Sequence, residues 1–187
     1  MDASLTVPAT KREIHLADYQ PPSFNIEHTR LTVELFSDHA VVTAVSKFCR
    51  IDKSVPNLHL DGSPYMTLQE AAVNGCLLSD DGYKLSDGSL VLSAVPDSFE
   101  LRLKTKLFPH ENTRLEGLYH SGGNFCTQCE AEGFRHITFF LDRPDVLTTY
   151  DVRIEADKSS CPILLSNGNP GSTGELGNGR HFAEQTG

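Results

Sequence analysis

Short segments in which apolar and polar residues alternate place the strongest constraint on the fold of this chain. The alternation has a period of two residues in segments 31–35, 100–104 and 152–156. Successive side chains of a β-strand point to opposite faces, so this period puts the apolar residues on one face of a half-buried strand. The β-branched residues in segments 31–35 and 152–156 also favour strands. The chain is therefore predicted to be rich in β-structure.

Turn-forming residues separate the alternating segments. Clusters of Gly, Asn, Asp, Ser and Pro occur at 37–39, 61–64, 80–82, 86–88 and 166–169. Several short strands separated by such turns indicate an all-β fold, and we predict an antiparallel β-sandwich.

Two local predictions concern less regular parts of the chain. Segment 66–73 contains Ala and Glu, but Gly75 follows closely, so we predict a strand followed by a turn. Segment 167–178 holds much of the glycine and is predicted to be a loop. It would connect a hairpin in which 163–165 pairs with 181–183.

Length and composition limit the class of protein. A chain of 187 residues, with 39% hydrophobic and 22% charged residues, is typical of one soluble domain or at most two small ones. The net charge of −9 argues against nucleic acid as a partner. No apolar stretch is long enough to predict a membrane span. We expect a flexible N-terminal arm at 1–11 and a single domain over 12–187.

The cysteines indicate a compartment. The number of cysteines is five, which is odd, and the first residues lack the apolar core of a secretory signal. Reduced thiols and a cytoplasmic location are therefore expected.

Segment 126–136 has the highest density of reactive side chains. It contains two thiols, two carboxylates, an amide, a guanidinium and an imidazole, and it lies just before the apolar run 137–141. No strand or helix period explains this pattern. Polar groups on a loop beside a rigid element are typical of a binding site.

Several motifs carry a resemblance to a known family. Gly117-Leu118-Tyr119 and segments 126–136, 141–147, 164–169, 174–176 and 178–181 resemble the N-terminal region of the aminopeptidase N family, which comprises zinc-dependent metallo-aminopeptidases of the gluzincin type. Segments 16–19 and 41–46 are also similar. The resemblance implies a saddle-like β-sandwich domain excised from a larger enzyme, where it packs on the zinc-bearing domain and caps the active site.

The resemblance also implies roles for two residues. The family's Gln-x-Glu motif matches Gln128 and Glu130, where the Glu contacts the substrate N-terminus and the Gln lies in the first specificity pocket. Side chains two apart in an extended segment share a face, so both can reach one ligand. The alternative is that Glu130 is a solvated loop carboxylate. Arg135 and Glu132 are predicted to form a structural ion pair, and His136 is predicted to be a packing residue.

The zinc signature of the family is missing from this chain. That signature, H-E-x-x-H, supplies two imidazoles one helical turn apart and a general base. His110-Glu111 begins the pattern, but residue 114 is Arg. We therefore expect no catalytic residue, no metal ligand and no activity in this chain alone, and zinc only in the full-length enzyme.

Cys126 and Cys129 form a C-x-x-C pair with three interpretations. These are a redox dithiol, half of a zinc site and buried thiols. A zinc ribbon needs a second cysteine pair, and a thioredoxin-like motif needs a βαβ context, so buried thiols are favoured.

The resemblance thus implies the substrate-anchoring and capping domain of an aminopeptidase of the alanyl type, which removes N-terminal amino acids from peptides. Its expected partners are a peptide N-terminus and the catalytic domain of the same polypeptide, with no nucleic acid and no membrane. The alternative is a stand-alone, non-catalytic β-sandwich module that binds a protein or a carbohydrate.

Overall fold

A computed structural model of the chain describes residue 13 and residues 15–187. The predicted arm at 1–11 lies outside the described residues. The predicted all-β class is confirmed, because the described helices are two single 3₁₀ turns, Leu16–Asp18 and Phe134–His136. The strands are β1 (Phe24–Leu35), β2 (Ala40–Arg50), β3 (Leu58–Asp61), β4 (Met66–Val73), β5 (Cys76–Leu77), β6 (Tyr83–Ser86), β7 (Ser89–Leu92), β8 (Ser98–Leu107), β9 (Gly117–Ser121), β10 (Asn124–Gln128), β11 (Thr149–Asp157), β12 (Asn169–Gly177) and β13 (Arg180–Thr186).

The largest sheet has eight strands in the order β12-β13-β11-β1-β2-β8-β4-β5. The three alternating segments predicted as strands lie in β1, β8 and β11, and segment 66–73 is β4, as predicted. The sheet departs from the predicted antiparallel arrangement at one place, since β1 and β11 run parallel, with Leu31 opposite Val152. Parallel neighbours need a long crossover connection, and here most of the chain separates the two strands.

Two smaller sheets complete the architecture. One contains β3, β7 and β6, and the other is the hairpin of β9 and β10. Leu58, Leu60, Leu90 and Leu92 of the three-stranded sheet are fully buried and belong to one apolar core with the main sheet. Burying a leucine side chain stabilises a fold by about 1.5–3 kcal/mol, so these four residues hold the small sheet against the large one.

The predicted C-terminal hairpin is wrong. Strand β13 pairs with β12 on one side and with β11 on the other, and segment 163–165 is in no strand. The predicted loop at 167–178 is for the most part the edge strand β12. Its glycines and Pro170 are typical of a loop, which is why a loop was predicted. An edge strand pairs its backbone on one side only and therefore tolerates Pro.

A buried hydroxyl connects the main sheet to the segment that follows the motif region. Thr105 of β8 donates a hydrogen bond from Oγ1 to the carbonyl oxygen of Ile137, at 2.9 Å. Asp61 and Phe140 exchange two backbone hydrogen bonds of 2.8 and 2.9 Å. Segment 137–140, all of it buried, is therefore a rigid base for the loop that precedes it.

Among the described residues, no helix has the length and apolar character that crossing a bilayer requires.

Candidate functional site

The hairpin of β9 and β10 carries the first candidate residues. Gly122 and Gly123 form its turn with φ values of 58° and 87°. Positive φ at both central positions is typical of the tight turns that match the twist of a hairpin. The register places Gln128, the last residue of β10, opposite Gly117, the first residue of β9. The turn thus fixes where β10 ends and where the following loop begins.

The loop after β10 turns back on itself instead of continuing as a strand. Gly133 donates its backbone N–H to the carbonyl oxygen of Cys129 at 2.7 Å. A Cβ atom at Gly133 would lie 2.7 Å from the Cα of Cys129 and 2.7 Å from the carbonyl oxygen of Gln128. Only glycine allows this close approach. The Gln128 side chain donates from Nε2 to the carbonyl oxygen of Glu130 at 3.1 Å, and the Glu130–Ala131 peptide bond is cis.

Gln128 and Glu130 both line an open groove of about 830 Å³. Both residues reach the groove because the chain turns after Gln128, where β10 ends. The sequence had suggested an extended segment at this place instead. The floor of the groove is apolar and comes from the main sheet, the hairpin and the segment before β12. Its apolar lining includes Leu31, Val33, Leu118, Phe125, Phe134, Ile137, Tyr150, Val152, Ile154 and Leu165.

The Glu130 side chain is exposed at this groove. Within the described part of the chain, no Lys, Arg or His side chain forms an ion pair with its carboxylate, whereas the neighbouring Glu132 pairs with Arg135. A carboxylate without an intramolecular cation beside an apolar surface can receive an ammonium group from a ligand. A charge-assisted hydrogen bond of this kind is about twice as strong as a neutral one.

Arg135 stabilises the loop through contacts with two carboxylates. The predicted pair with Glu132 is present, at 3.2 Å between Nη2 and Oε2. The stronger partner is Asp142, which the sequence did not indicate. Its Oδ2 accepts from the Arg135 backbone N–H at 3.1 Å and from Nε at 2.8 Å, and its carbonyl oxygen accepts from Nη2 at 3.0 Å. Burial opposes the charge of Arg135, but hydrogen bonding to Asp142 and nearby carboxylates keep its pKa raised.

Two groups that line the groove are held neutral. Burial raises the pKa of the Cys129 thiol to about 11, and the charge of Asp142 adds to the effect. Burial likewise raises the pKa of Tyr150 to about 12, again helped by Asp142. A thiolate is the nucleophilic form of cysteine, so Cys129 is a poor nucleophile at neutral pH. Both Cys126 and Cys129 are free and half-buried, which fits the interpretation as structural thiols.

His136 fits a packing role better than a ligand role. It lies at the end of the 3₁₀ turn Phe134–His136. A Cβ atom at Gly117 would lie 2.5 Å from the Cβ of His136, so the backbone and Cβ of His136 pack directly on the hairpin. Burial lowers the pKa of His136, opposed by Glu116 at 3.4 Å. In the described residues, no group of three or more His, Cys, Asp or Glu is placed to hold a metal ion.

The sequence and the fold match a class of peptidase domains. The family model of the peptidase M1 N-terminal domain matches residues 25–186. The chain belongs to this family.

The curated relatives are aminopeptidases of bacteria. The chain is 46% identical to aminopeptidase N of Haemophilus influenzae over 170 residues, which cover 89% of this chain and 19% of that protein. It is 45% identical to aminopeptidase N of Escherichia coli over 170 residues, again 89% of this chain and 19% of that protein. The chain thus spans about a fifth of the length of the curated relatives that it matches.

Solved structures agree with the fold. Aminopeptidase A of Legionella pneumophila, determined in complex with aspartic acid, superposes with a TM-score of 0.86 at 31% identity, covering 91% of this chain and 20% of that chain. An M1 zinc metallopeptidase of Deinococcus radiodurans superposes with a TM-score of 0.74 at 16% identity, covering 88% of this chain and 39% of that chain. At that identity the second likeness supports the fold alone.

Proposed function

We propose that this chain is the substrate-anchoring and capping domain of a zinc-dependent aminopeptidase that removes N-terminal residues from peptides. The observation that carries the proposal is the position of Glu130, an exposed carboxylate at an apolar groove, with no cation paired to it among the described residues. An exopeptidase must recognise a free α-ammonium group. A carboxylate at one end of the site provides that recognition.

Four residues on or beside the loop have a role in this proposal. Glu130 binds the ammonium group, and Gln128, hydrogen-bonded to the Glu130 carbonyl, lines the adjoining pocket for the first side chain. Arg135 and Asp142 position the loop without touching the peptide. The groove receives apolar side chains, because its floor is built from leucine, isoleucine, valine and aromatic residues.

The zinc would belong to another part of the polypeptide. Its chemistry would be to polarise the scissile carbonyl and activate a water molecule. The described residues of this chain do not fit a zinc site, so we assign no catalytic step to them. The catalytic domain of the same polypeptide would be the partner that packs over the groove. A cytoplasmic location is also proposed, supported by five free cysteines.

Substitution of Glu130 in the full-length polypeptide tests the anchoring role. We expect Glu130→Gln to raise KM for an aminoacyl substrate strongly and to lower kcat, because the ammonium loses its ionic partner. Losing one charged contact costs about 1.5–3 kcal/mol, which is on the order of 10- to 100-fold in kcat/KM. Glu132→Gln is the matched control, since Glu132 is on the same loop but does not line the groove. Unchanged kcat/KM for Glu130→Gln would remove Glu130 from the site.

Metal analysis of the isolated chain tests the proposal that the zinc site and the peptidase activity belong to another part of the polypeptide. We expect no stoichiometric zinc and no peptidase activity. One tightly held zinc per chain would contradict this and would direct attention to Cys126 and Cys129.

A further inference from the structure

The hairpin of β9 and β10 has one outer edge that the chain covers and one that it leaves open. On β9, the backbone N–H of His120 donates to the carbonyl oxygen of Pro109 at 3.0 Å. The carbonyl oxygen of Leu118 accepts from Nδ2 of Asn112 at 2.9 Å. Strand β10 pairs with β9 alone. Its other edge therefore has no neighbouring strand in the part of the chain that the structure describes.

The register of the hairpin identifies the backbone groups on this open edge. A two-residue turn is closed by a hydrogen-bonded pair, and non-bonded and bonded pairs then alternate along the ladder. The first non-bonded pair is Phe125 with His120. The second is Thr127 with Leu118, and the outward hydrogen bonds of His120 and Leu118 agree with this assignment. The N–H and C=O groups of Phe125 and Thr127 therefore point away from β9, and within the described residues they have no other partner.

The groove runs along the open edge of β10. Its lining includes every residue from Phe125 to Glu130. Side chains of a strand alternate between two faces, so consecutive lining residues mean that β10 presents its edge to the groove. On β1 and β11, by contrast, every second residue lines the groove: Leu31, Val33, Leu35, Tyr150, Val152 and Ile154. The main sheet thus provides the floor of the groove, and the β10 backbone provides one wall.

An unpaired backbone edge beside an apolar floor suits an extended peptide. The free N–H and C=O groups bind the main chain of an added strand, and pockets beneath receive alternate side chains. Glu130, at the end of this wall, has the charge that complements a free peptide N-terminus, which a segment from the interior of a protein lacks. The groove volume of about 830 Å³ is in the usual range of ligand sites, roughly 300–1,000 Å³.

We propose that a bound peptide adds to β10 as an antiparallel strand, with its main chain hydrogen-bonded to Phe125 and Thr127. The inference rests on the proposed function, because an N-terminus held at Glu130 fixes the direction of the peptide. Glu130 follows the end of β10, so a peptide that starts there and stays in the groove runs back toward Phe125. Only alternate N–H groups of the peptide then face β10. Beyond its first residue, the peptide is recognised through its main chain.

N-methylation of penta-alanine tests the pairing. Each peptide nitrogen is methylated in a separate peptide, and dissociation constants for this chain are measured by NMR titration. Methylation removes a donor, so it should weaken binding on the order of tenfold at a nitrogen that faces β10 and have little effect at the next nitrogen, which faces away. We therefore expect the effect to alternate along the peptide. A uniform effect, no effect, or no binding of penta-alanine at millimolar concentration would overturn the proposal.

Thr127→Pro removes one of the two donors from the chain. Pro is tolerated in an edge strand where its nitrogen faces away from the neighbouring strand, so the ladder with β9 should survive. We expect penta-alanine to bind on the order of tenfold more weakly. Thr127→Ala is the matched control, because it keeps the N–H, and it should bind like the unmodified chain. Unchanged affinity in a Thr127→Pro variant that thermal unfolding shows to be folded would contradict the proposal, and the methylated peptides decide the question if this variant does not fold.

Acetylation of the peptide N-terminus separates this inference from the proposed function. It should weaken binding equally to the unmodified chain and to Thr127→Pro, and should have no effect in Glu130→Gln. Loss of the acetylation effect alone would count against Glu130, whereas loss of the alternation alone would count against the β10 edge.

Hydrogen exchange identifies any other occupant of the edge. The amides of Phe125 and Thr127 should exchange quickly in the free chain and slowly with penta-alanine bound. Slow exchange that appears in the free chain as its concentration rises would assign the edge to a second copy. Slow exchange in the full-length polypeptide without peptide would assign it to a strand of the catalytic domain. Either result would overturn a role of this edge in peptide binding.

Discussion

Replacement of Asp142 by Asn should destabilise this domain far more than replacement of Glu132 by Gln. Both carboxylates contact Arg135, but the Asp142 side chain is 9% exposed and the Glu132 side chain is 62% exposed. The Asp142 carboxylate accepts two hydrogen bonds from Arg135. One comes from the backbone N–H of Arg135 and the other from its guanidinium. Asn at this position removes the charge and leaves the arginine, which is only 25% exposed, with a neutral acceptor.

The magnitude follows from these contacts. Each hydrogen bond to a charged group contributes about 1.5–3 kcal/mol, and Asn retains part of both while Glu132 still pairs with the arginine. We therefore expect a loss of about 2–4 kcal/mol in the free energy of unfolding for Asp142→Asn. For Glu132→Gln, the pair is near the surface, and the expected loss is about 0.5 kcal/mol or less.

Urea unfolding monitored by circular dichroism measures both values, and thermal unfolding provides a second reading. For a domain of this size, 1 kcal/mol shifts Tm by about 2–4 °C, so Asp142→Asn should lower Tm by roughly 4–16 °C. Equal losses in the two variants would refute the reasoning, as would a loss below about 1 kcal/mol for Asp142→Asn.

Three other predictions follow from single contacts. Gly133→Ala should cost about 1–3 kcal/mol in urea unfolding, because its Cβ meets backbone of the loop; unchanged stability would show that the loop can open. Arg50→Met should cost about 2–4 kcal/mol in the same assay, since its guanidinium, in a side chain only 5% exposed, binds Asp97 and three carbonyl oxygens; a loss under 1 kcal/mol would contradict this. Iodoacetamide at pH 8 should label the exposed Cys76 before Cys129, whose pKa is about 11, and mass spectrometry showing equal rates would oppose it.

Local patterns in the sequence predicted much of the sheet but not its edge. Apolar alternation located β1, β8 and β11, because each of these strands has one face in the core. Strand β12 has no buried residue and many glycines, so no alternation could reveal it. Strand β12 forms because its backbone makes hydrogen bonds with the backbone of β13. Backbone pairing does not require a particular side-chain pattern, so the sequence contains no signal for it.

The parallel contact of β1 with β11 could not be read from local sequence either. Both strands show the alternation, but alternation fixes the face of each residue and not the neighbour or direction of the strand.

The candidate site was predictable only in part. The resemblance pointed to Gln128 and Glu130, and the ion pair of Arg135 with Glu132 could be anticipated from their spacing. Asp142 could not, because a buried run separates it from Arg135, and only the folded turn brings the two together. A polar residue at the end of a long apolar run was the one available signal.

The pairing of β1 with β11 has a consequence for synthesis on the ribosome. Strand β1 is completed early and acquires β2 as its first neighbour, but its other edge stays open until β11 has been translated. An open edge can recruit foreign strands, and contacts between distant parts of a chain form slowly. The nascent chain is therefore most prone to aggregation while β11 is still unmade, and a chaperone that shields β1 during this interval would raise the yield of folded protein.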